Sequence, residues 1–208
     1  MKHDVGDFDP TNRFTSRVRD YVRYRPRYPQ AIISTLRAET GLRPDHVIAD
    51  VGSGTGFSAE MFLQNGNAVL GIEPNEAMRS AGEQVLAGYP RFSSVAGAAE
   101  ATTLGDASVD YIIAGQALHW FDLVRARVEF SRILRCPGWI ALFWNTHVAE
   151  LSPFLREYEA LFHKSGNDYA QIAHGALRNH ELATLFENQR FVYCTFPFVQ
   201  RLTLEGLI

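Results

Sequence analysis

The run Asp50-Val51-Gly52-Ser53-Gly54-Thr55-Gly56, directly after the apolar Val47-Ile48-Ala49, constrains this chain more than any other feature. A buried strand that empties into three glycines at alternate positions reads as a strand-to-helix turn. Glycine lets the backbone turn sharply and approach a ligand where a Cβ would collide, and the following helix offers free N–H groups and a positive dipole end to an anion. The pattern points to a nucleotide-bearing cofactor. Its spacing departs from the dinucleotide fingerprint Gly-x-Gly-x-x-Gly, because the third glycine stands one residue early, at Gly56, and Phe57 follows it.

A second strand supports the cofactor reading. Ala68-Val69-Leu70-Gly71-Ile72 is apolar and ends at Glu73, seventeen residues after Gly56 and beside Pro74. A carboxylate at the carboxyl end of a second strand accepts hydrogen bonds from both hydroxyls of a ribose, which is the usual solution in a doubly wound sheet.

The 208 residues are 46% apolar, enough for one substantial core. A net charge of −3 disfavours a domain that binds polyanions over its whole surface. Basic charge is nevertheless concentrated at Arg13, Arg17, Arg19, Arg23, Arg25 and Arg27, interleaved with Phe14, Tyr21, Tyr24 and Tyr28. Cys136 and Cys194 lie far apart and form no disulfide framework, so a reducing compartment is expected. The seven histidines show no metal-ligand spacing, and no metal is expected. No apolar run reaches the length of a membrane span and Met1-Lys2-His3-Asp4 opens no signal core, so the expected location is the cytoplasm.

From residue 47 onward short apolar runs alternate with helical patterns, which predicts βαβ units and a parallel sheet. Strands are expected near 47–51, 68–72, 92–96, 109–114, 139–144 and 191–198. Helices are expected over 57–64, stopped by Asn65-Gly66; over 75–86, capped by Asn75; and over 122–134, closed by Pro137-Gly138. Residues 16–24 form a further candidate helix, ended by Pro26 and Pro29, that could serve as a lid. The aromatic and histidine side chains Tyr158, Phe162, His163, Tyr169 and His174 fall at spacings that suit a pocket lining or ordinary packing equally.

The acidic residue followed by Gly-x-Gly-x-Gly resembles the first motif of class I S-adenosylmethionine-dependent methyltransferases. Gly97-Ala98-Ala99-Glu100, the strand and turn from Val109 to Asp122, and Leu134-Arg135-Cys136-Pro137-Gly138-Trp139 are similar to later motifs of that family. His119-Trp120-Phe121-Asp122 and Tyr24-Arg25-Pro26-Arg27-Tyr28-Pro29 narrow the resemblance to the type 11, small-molecule branch, which includes trans-aconitate methyltransferase-like proteins. The resemblance implies an α/β, Rossmann-like doubly wound and mostly parallel sheet with helices on both faces. It also implies a helical lid over residues 1–40 and an S-adenosylmethionine-binding domain over 41–208.

On the matching positions, Gly52, Ser53, Gly54 and Gly56 would lie beneath the methionine part and ribose, with Asp50 near the amino group. Glu73, beside Pro74, would hold the ribose hydroxyls, and Ala99 and Glu100 would border the adenine. Gln116 would sit by the methionine portion and the reacting centre, His119 and Trp120 would face the substrate, and Tyr21 and Arg25 would belong to the lid. Two departures stand out: Pro137-Gly138-Trp139 replaces a common Pro-Gly-Gly turn, and the chain stops at Ile208 where the family continues to a seventh, antiparallel strand. The chain therefore reads as a truncated form or a fragment whose strand 191–198 lacks its partner, and a homodimer is one way to cover that edge.

A sulfonium donor carries its own activation, so positioning supplies most of the rate. An amine or hydroxyl acceptor also needs a base, for which His119 is the candidate. A carboxylate acceptor needs none and would instead be gripped by Arg25 with Arg17 or Arg23. Alternatives stay open: a nucleic-acid methyltransferase built on the Arg-aromatic segment, a nicotinamide-dependent oxidoreductase with a misplaced glycine, or a methyltransferase-like domain that binds without catalysis.

Overall fold

The computed structural model describes residues 26–146, 152–165, 186 and 191–200. Five strands, β1 (Val47–Val51), β2 (Ala68–Ile72), β3 (Phe92–Val95), β4 (Val109–Gly115) and β5 (Leu134–Phe143), form one sheet in the order β3-β2-β1-β4-β5. Every neighbouring pair is parallel. This is the Rossmann-like doubly wound arrangement expected from the alternation of apolar runs and helical patterns. The reversal of strand order falls between β1 and β4, where a crevice opens at the carboxyl ends of the strands.

Helices α1 (Ala31–Thr40), α2 (Phe57–Gln64), α3 (Glu76–Val85), α4 (Leu123–Ile133) and α5 (Pro153–Ser165) complete the described elements. Alternation along β1 sends Ile48 to one face and Ala49 to the other, and each belongs to a separate core. The first core joins Ile32 and Ile33 of α1 to Phe62 and Leu63 of α2. The second joins Ala126, Phe130 and Ile133 of α4 to Ile112 and Leu118. β1 is buried along nearly its whole length because it is covered on both sides.

Local chemistry sets the helix ends much as the sequence indicates. The Asn75 side chain caps α3 by accepting from Met78 N at 2.9 Å, and Asp122 caps α4 by accepting from Val124 N and Arg125 N. Helix α1 was missing from the sequence reading. Its signal is Gly41, left-handed at φ 70, whose N–H closes the helix on Leu36 O. With Ile32 and Ile33 in the core, residues 31–40 are part of the packed body.

Two expectations need correction. Residues 191–200 form no strand, although Phe196 packs against the first core. The period-2 pattern slips by one residue between Tyr193 and Phe196, so the run has no single apolar face, and Pro197 lacks the N–H a ladder needs. The edge argument for association therefore has no strand here to rest on. β5 also begins earlier than expected, at Leu134: pairing runs Val109 to Leu134, then skips to Tyr111 and Trp139, leaving the Pro137-Gly138 turn as a bulge within the strand. The candidate helix at 16–24, with Arg17, Tyr21, Arg23 and Arg25, lies outside the described residues, as do the side chains of Phe162, His163, Tyr169 and His174.

Candidate functional site

The glycine turn is held to the end of β2 by two bonds, from Gly52 N and Ser53 N to Ile72 O at 2.9 and 3.0 Å. All three glycines have positive φ. A Cβ on Gly52 would stand 2.6 Å from Ala117 Cβ, and one on Gly56 would stand 2.5 Å from Leu86 Cδ1. Packing of the protein on itself thus demands glycine at both places. At Gly54 the nearest atom would be Met78 Cε at 3.3 Å, so this residue keeps the backbone open toward a ligand.

Beneath the turn lies Asp50, with no exposed surface. Its Oδ2 accepts from Ser58 Oγ at 2.7 Å, while Oδ1 is buried without a partner. Burial pushes its pKa up to about 7 against the opposing bonds from Ser58 and the Ala59 backbone, with a small push from Glu73 in the same direction. Thr55 Oγ1 is a second buried polar atom without a partner in the same turn. Such orphans are rare in folded proteins, and an ordered water or a bound group is the usual completion of their bonding.

Glu73 is also buried, and burial raises its pKa. Its Oε2 accepts from Gly54 N and its Oε1 from Asn75 N, both at 2.9 Å, and these two bonds oppose the rise. The carboxylate thus braces the glycine turn against the start of α3, a role the sequence did not reveal. Each oxygen retains a further lone pair, so the bracing is compatible with accepting from ribose hydroxyls. Pro74 follows, and Arg79 Nη1 donates to the carbonyls of Glu73 and Pro74 at 3.0 and 3.4 Å.

Beyond β3, Ala98 and Ala101 exchange backbone bonds of 3.2 and 3.1 Å and fold Gly97–Ala101 into a tight turn with Ala99 buried. The Glu100 carboxylate turns to the start of α4 and accepts from Asp122 N at 2.7 Å. Buried Glu129 anchors the other side of this turn. It accepts from Thr102 N and Thr102 Oγ1 at 2.8 and 2.5 Å and pairs with both Arg132 Nε and Nη2. These donors, Arg132 foremost, hold the Glu129 carboxyl down at about 2. Arg132 also reaches Asp106. In the sequence only the i, i+3 spacing of Glu129 and Arg132 hinted at this clamp.

Gln116 follows β4 in the left-handed conformation, φ 58, with its N–H on Phe143 O and its Nε2 on Asn145 O at 3.1 Å. His119 is exposed on a single 3-10 turn, Leu118–Trp120, its ring 4.7 Å from that of Trp120. An open cleft with about 320 Å³ of empty space lies over the glycine turn, lined by Gly52, Ser53, Gly54, Thr55, Phe57 and Ser58 with Pro26, Tyr28 and Gly115. Tyr28 crosses the end of β4 so closely that its hydroxyl would lie 2.6 Å from a Cβ on Gly115. Arg27 stacks over Phe57 at 4.9 Å and pairs with Glu60. The structure therefore gathers the glycine turn, Ser58 and Tyr28 around one opening and leaves His119 outside its lining. Arg25 lies outside the described residues.

Comparison with known proteins bears on the class of this fold. Residues 49–142 match the family described as a methyltransferase domain. The chain is 33% identical over 159 residues to an uncharacterized methyltransferase of Mycobacterium bovis, covering 76% of this chain and 62% of that protein. It is 28% identical over 198 residues to an uncharacterized methyltransferase-like protein of Schizosaccharomyces pombe, covering 93% and 74%. Thus the chain spans 62% of the length of its mycobacterial relative. Among solved structures, a putative S-adenosyl-L-methionine-dependent methyltransferase of Methanococcus maripaludis superposes with a TM-score of 0.65 at 18% identity, covering 88% of this chain and 83% of that one. A putative type II methyltransferase of Anaeromyxobacter dehalogenans gives a TM-score of 0.57 at 30% identity, covering 68% and 59%. Residues 49–142 thus resemble a methyltransferase domain, and the cradle described above fits S-adenosylmethionine, the donor named for the Methanococcus structure. Among the described residues no helix is long and apolar enough to cross a membrane.

Proposed function

We propose that this protein is a cytoplasmic enzyme that transfers the methyl group of S-adenosylmethionine to a small molecule, with a carboxylate as the favoured acceptor group. The observation that carries the reading is the buried Asp50, one oxygen fixed by Ser58 and the other without a partner beneath the glycine turn. A carboxylate so placed favours a ligand that brings N–H donors and positive charge, as the methionine part of the donor does. Glu73 holds the ribose hydroxyls through its remaining lone pairs, and the Gly97–Ala101 turn with Ala99 borders the adenine.

The bound donor supplies an activated methyl group: the carbon–sulfur bond breaks with its electron pair on sulfur, as a lone pair on the acceptor forms the new bond. What the chain contributes is position, a term worth roughly 7–11 kcal/mol when the reacting atoms are held in line. A carboxylate acceptor arrives already ionised and needs no base, so no histidine is required in the cleft. Residues before Ala31, Arg25 among them, would close over the acceptor as a lid. The trans-aconitate methyltransferase-like branch is our assignment within the family.

Calorimetric titration with S-adenosylhomocysteine, with NAD run in parallel, tests the cofactor. Micromolar binding of the former alone is expected, and a screen of small carboxylic acids with labelled donor then tests transfer. Binding of NAD instead would overturn the assignment. Binding of S-adenosylhomocysteine with no product from any acceptor would favour the non-catalytic reading.

A further inference from the structure

The carboxyl ends of β4 and β5 carry a donor that the cofactor cradle does not use. Gln116 occupies a backbone region that residues other than glycine rarely adopt, and two bonds hold it there, its N–H on Phe143 O and its side-chain amide on Asn145 O. Those bonds fix the main chain of Asn145 against the end of β4. The Asn145 side chain is left over: its Nδ2 is buried and, among the described residues, has no hydrogen-bond partner. A buried amide N–H without an acceptor is unfavourable and calls for a group that supplies one.

The position of that donor follows from the strand. Along β5, Ala141 and Phe143 pack on the core that includes Tyr28, whereas Ile140, Leu142 and Trp144 pack on the opposite one. Asn145 stands two residues past the end of β5, and with Trp144 packed on the opposite core the continued alternation points Asn145 to the Phe143 side. There Tyr28 lies 5.6 Å from the Phe143 ring, covers Gly115 and lines the cleft. Asn145 is not part of the cleft lining itself; what links the two is the shared end of β4 and β5, where Gly115 and Tyr28 line the cleft and Gln116 bonds Asn145 O.

We infer that the Asn145 side-chain amide binds an oxygen of the methyl acceptor, with Gln116 as the residue that positions it. An N–H can pair with a carboxylate or carbonyl oxygen and cannot pair with an ammonium group, so the site selects acceptors that present oxygen. This rests on the methyltransferase reading above.

The test uses the full chain saturated with S-adenosylhomocysteine and labelled with nitrogen-15, with the Asn145 side-chain amide signals identified by their loss in Asn145→Ser. Acetate is the probe and methylammonium the control. Acetate is expected to shift the Asn145 pair saturably, methylammonium to leave it in place, and the Asn145→Ser variant to bind S-adenosylhomocysteine as the parent does, which shows that it folds. Signals that ignore acetate, or that follow both probes alike, would mean that the chain itself satisfies the amide, and the inference falls while cofactor binding stands. Failure of the parent chain to bind S-adenosylhomocysteine overturns the methyltransferase reading and the acceptor site together.

Discussion

Two buried carboxylates sit on opposite sides of the same sheet and are treated in opposite ways. Glu129 receives bonds from Thr102 N, Thr102 Oγ1 and two nitrogens of Arg132, and its pKa falls to about 2. Asp50 accepts from the Ser58 hydroxyl on Oδ2, with the Ala59 backbone N–H also favouring its ionised form. Its Oδ1 has no hydrogen-bond partner among the described residues, and burial raises its pKa to about 7. The first is a finished structural clamp. The second is incompletely bonded and destabilising when ionised in the free protein, and under the proposed function it suits a cationic ligand. Polar groups that look alike by burial are thus separated by whether their partners lie within the chain.

The largest effect expected from breaking this contrast is at the clamp. Glu129→Ala leaves the buried Thr102 N–H without an acceptor and removes the partner of Arg132, and we expect a loss of about 3 kcal/mol at pH 7 in urea unfolding. The sign of the pH dependence is fixed by the lowered pKa. Glu129 stabilises the fold fully above its ordinary value of 4.5, and the contribution fades as pH falls toward about 2. The difference between parent and variant should therefore shrink across that window. A difference independent of pH would mean that packing, and not the ionised clamp, is lost.

Asp50→Asn should do the reverse. Folding raises the Asp50 pKa from 3.8 to about 7, so the folded state takes up a proton and this residue's contribution declines as pH rises through that interval. The amide removes the buried charge but leaves an N–H in place of the orphaned oxygen, so the net gain at pH 8 should be about 2 kcal/mol. The same variant should bind S-adenosylhomocysteine more weakly. A variant that is stabler at pH 8 and also binds as well as the parent would show that Asp50 does not serve the ligand.

Glu73 lies between the two extremes, because both its oxygens are bonded and yet retain accepting capacity. Glu73→Ala should weaken S-adenosylhomocysteine binding at least about tenfold, near 1.4 kcal/mol. Unchanged affinity would confine Glu73 to bracing the turn and remove the ribose assignment.

What the sequence disclosed follows the same division. Strand positions, the glycine turn and the cap at Asn75 were legible because each rests on local periodicity or on one residue's conformational preference. Glu129 with Thr102, twenty-seven residues apart, and Gln116 with Asn145, twenty-nine apart, were not, because the partners meet only when the sheet forms. The strand expected at 191–198 failed for a related reason: apolar composition suggested it, while the slipped phase and Pro197 denied it a usable face. Helix α1 is signalled by Gly41, but its packing into the first core, in place of the helical lid expected over 1–40, depends on contacts with α2 and the sheet that the local pattern does not carry.

The smallest effect should come from His119, the one histidine the sequence put forward as a base. It is exposed, and it does not line the cleft over the glycine turn. Set beside Asp50, it shows how little a titratable side chain need matter when water already solvates it. His119→Gln keeps a polar side chain of similar size, and S-adenosylhomocysteine affinity should stay within about twofold of the parent, less than half a kcal/mol. If the acceptor is a carboxylate, kcat with the best acid should also keep its pH dependence near neutrality. Loss of an ionisation between pH 6 and 7 in the variant would instead give His119 the role of base and move the acceptor to an amine or hydroxyl.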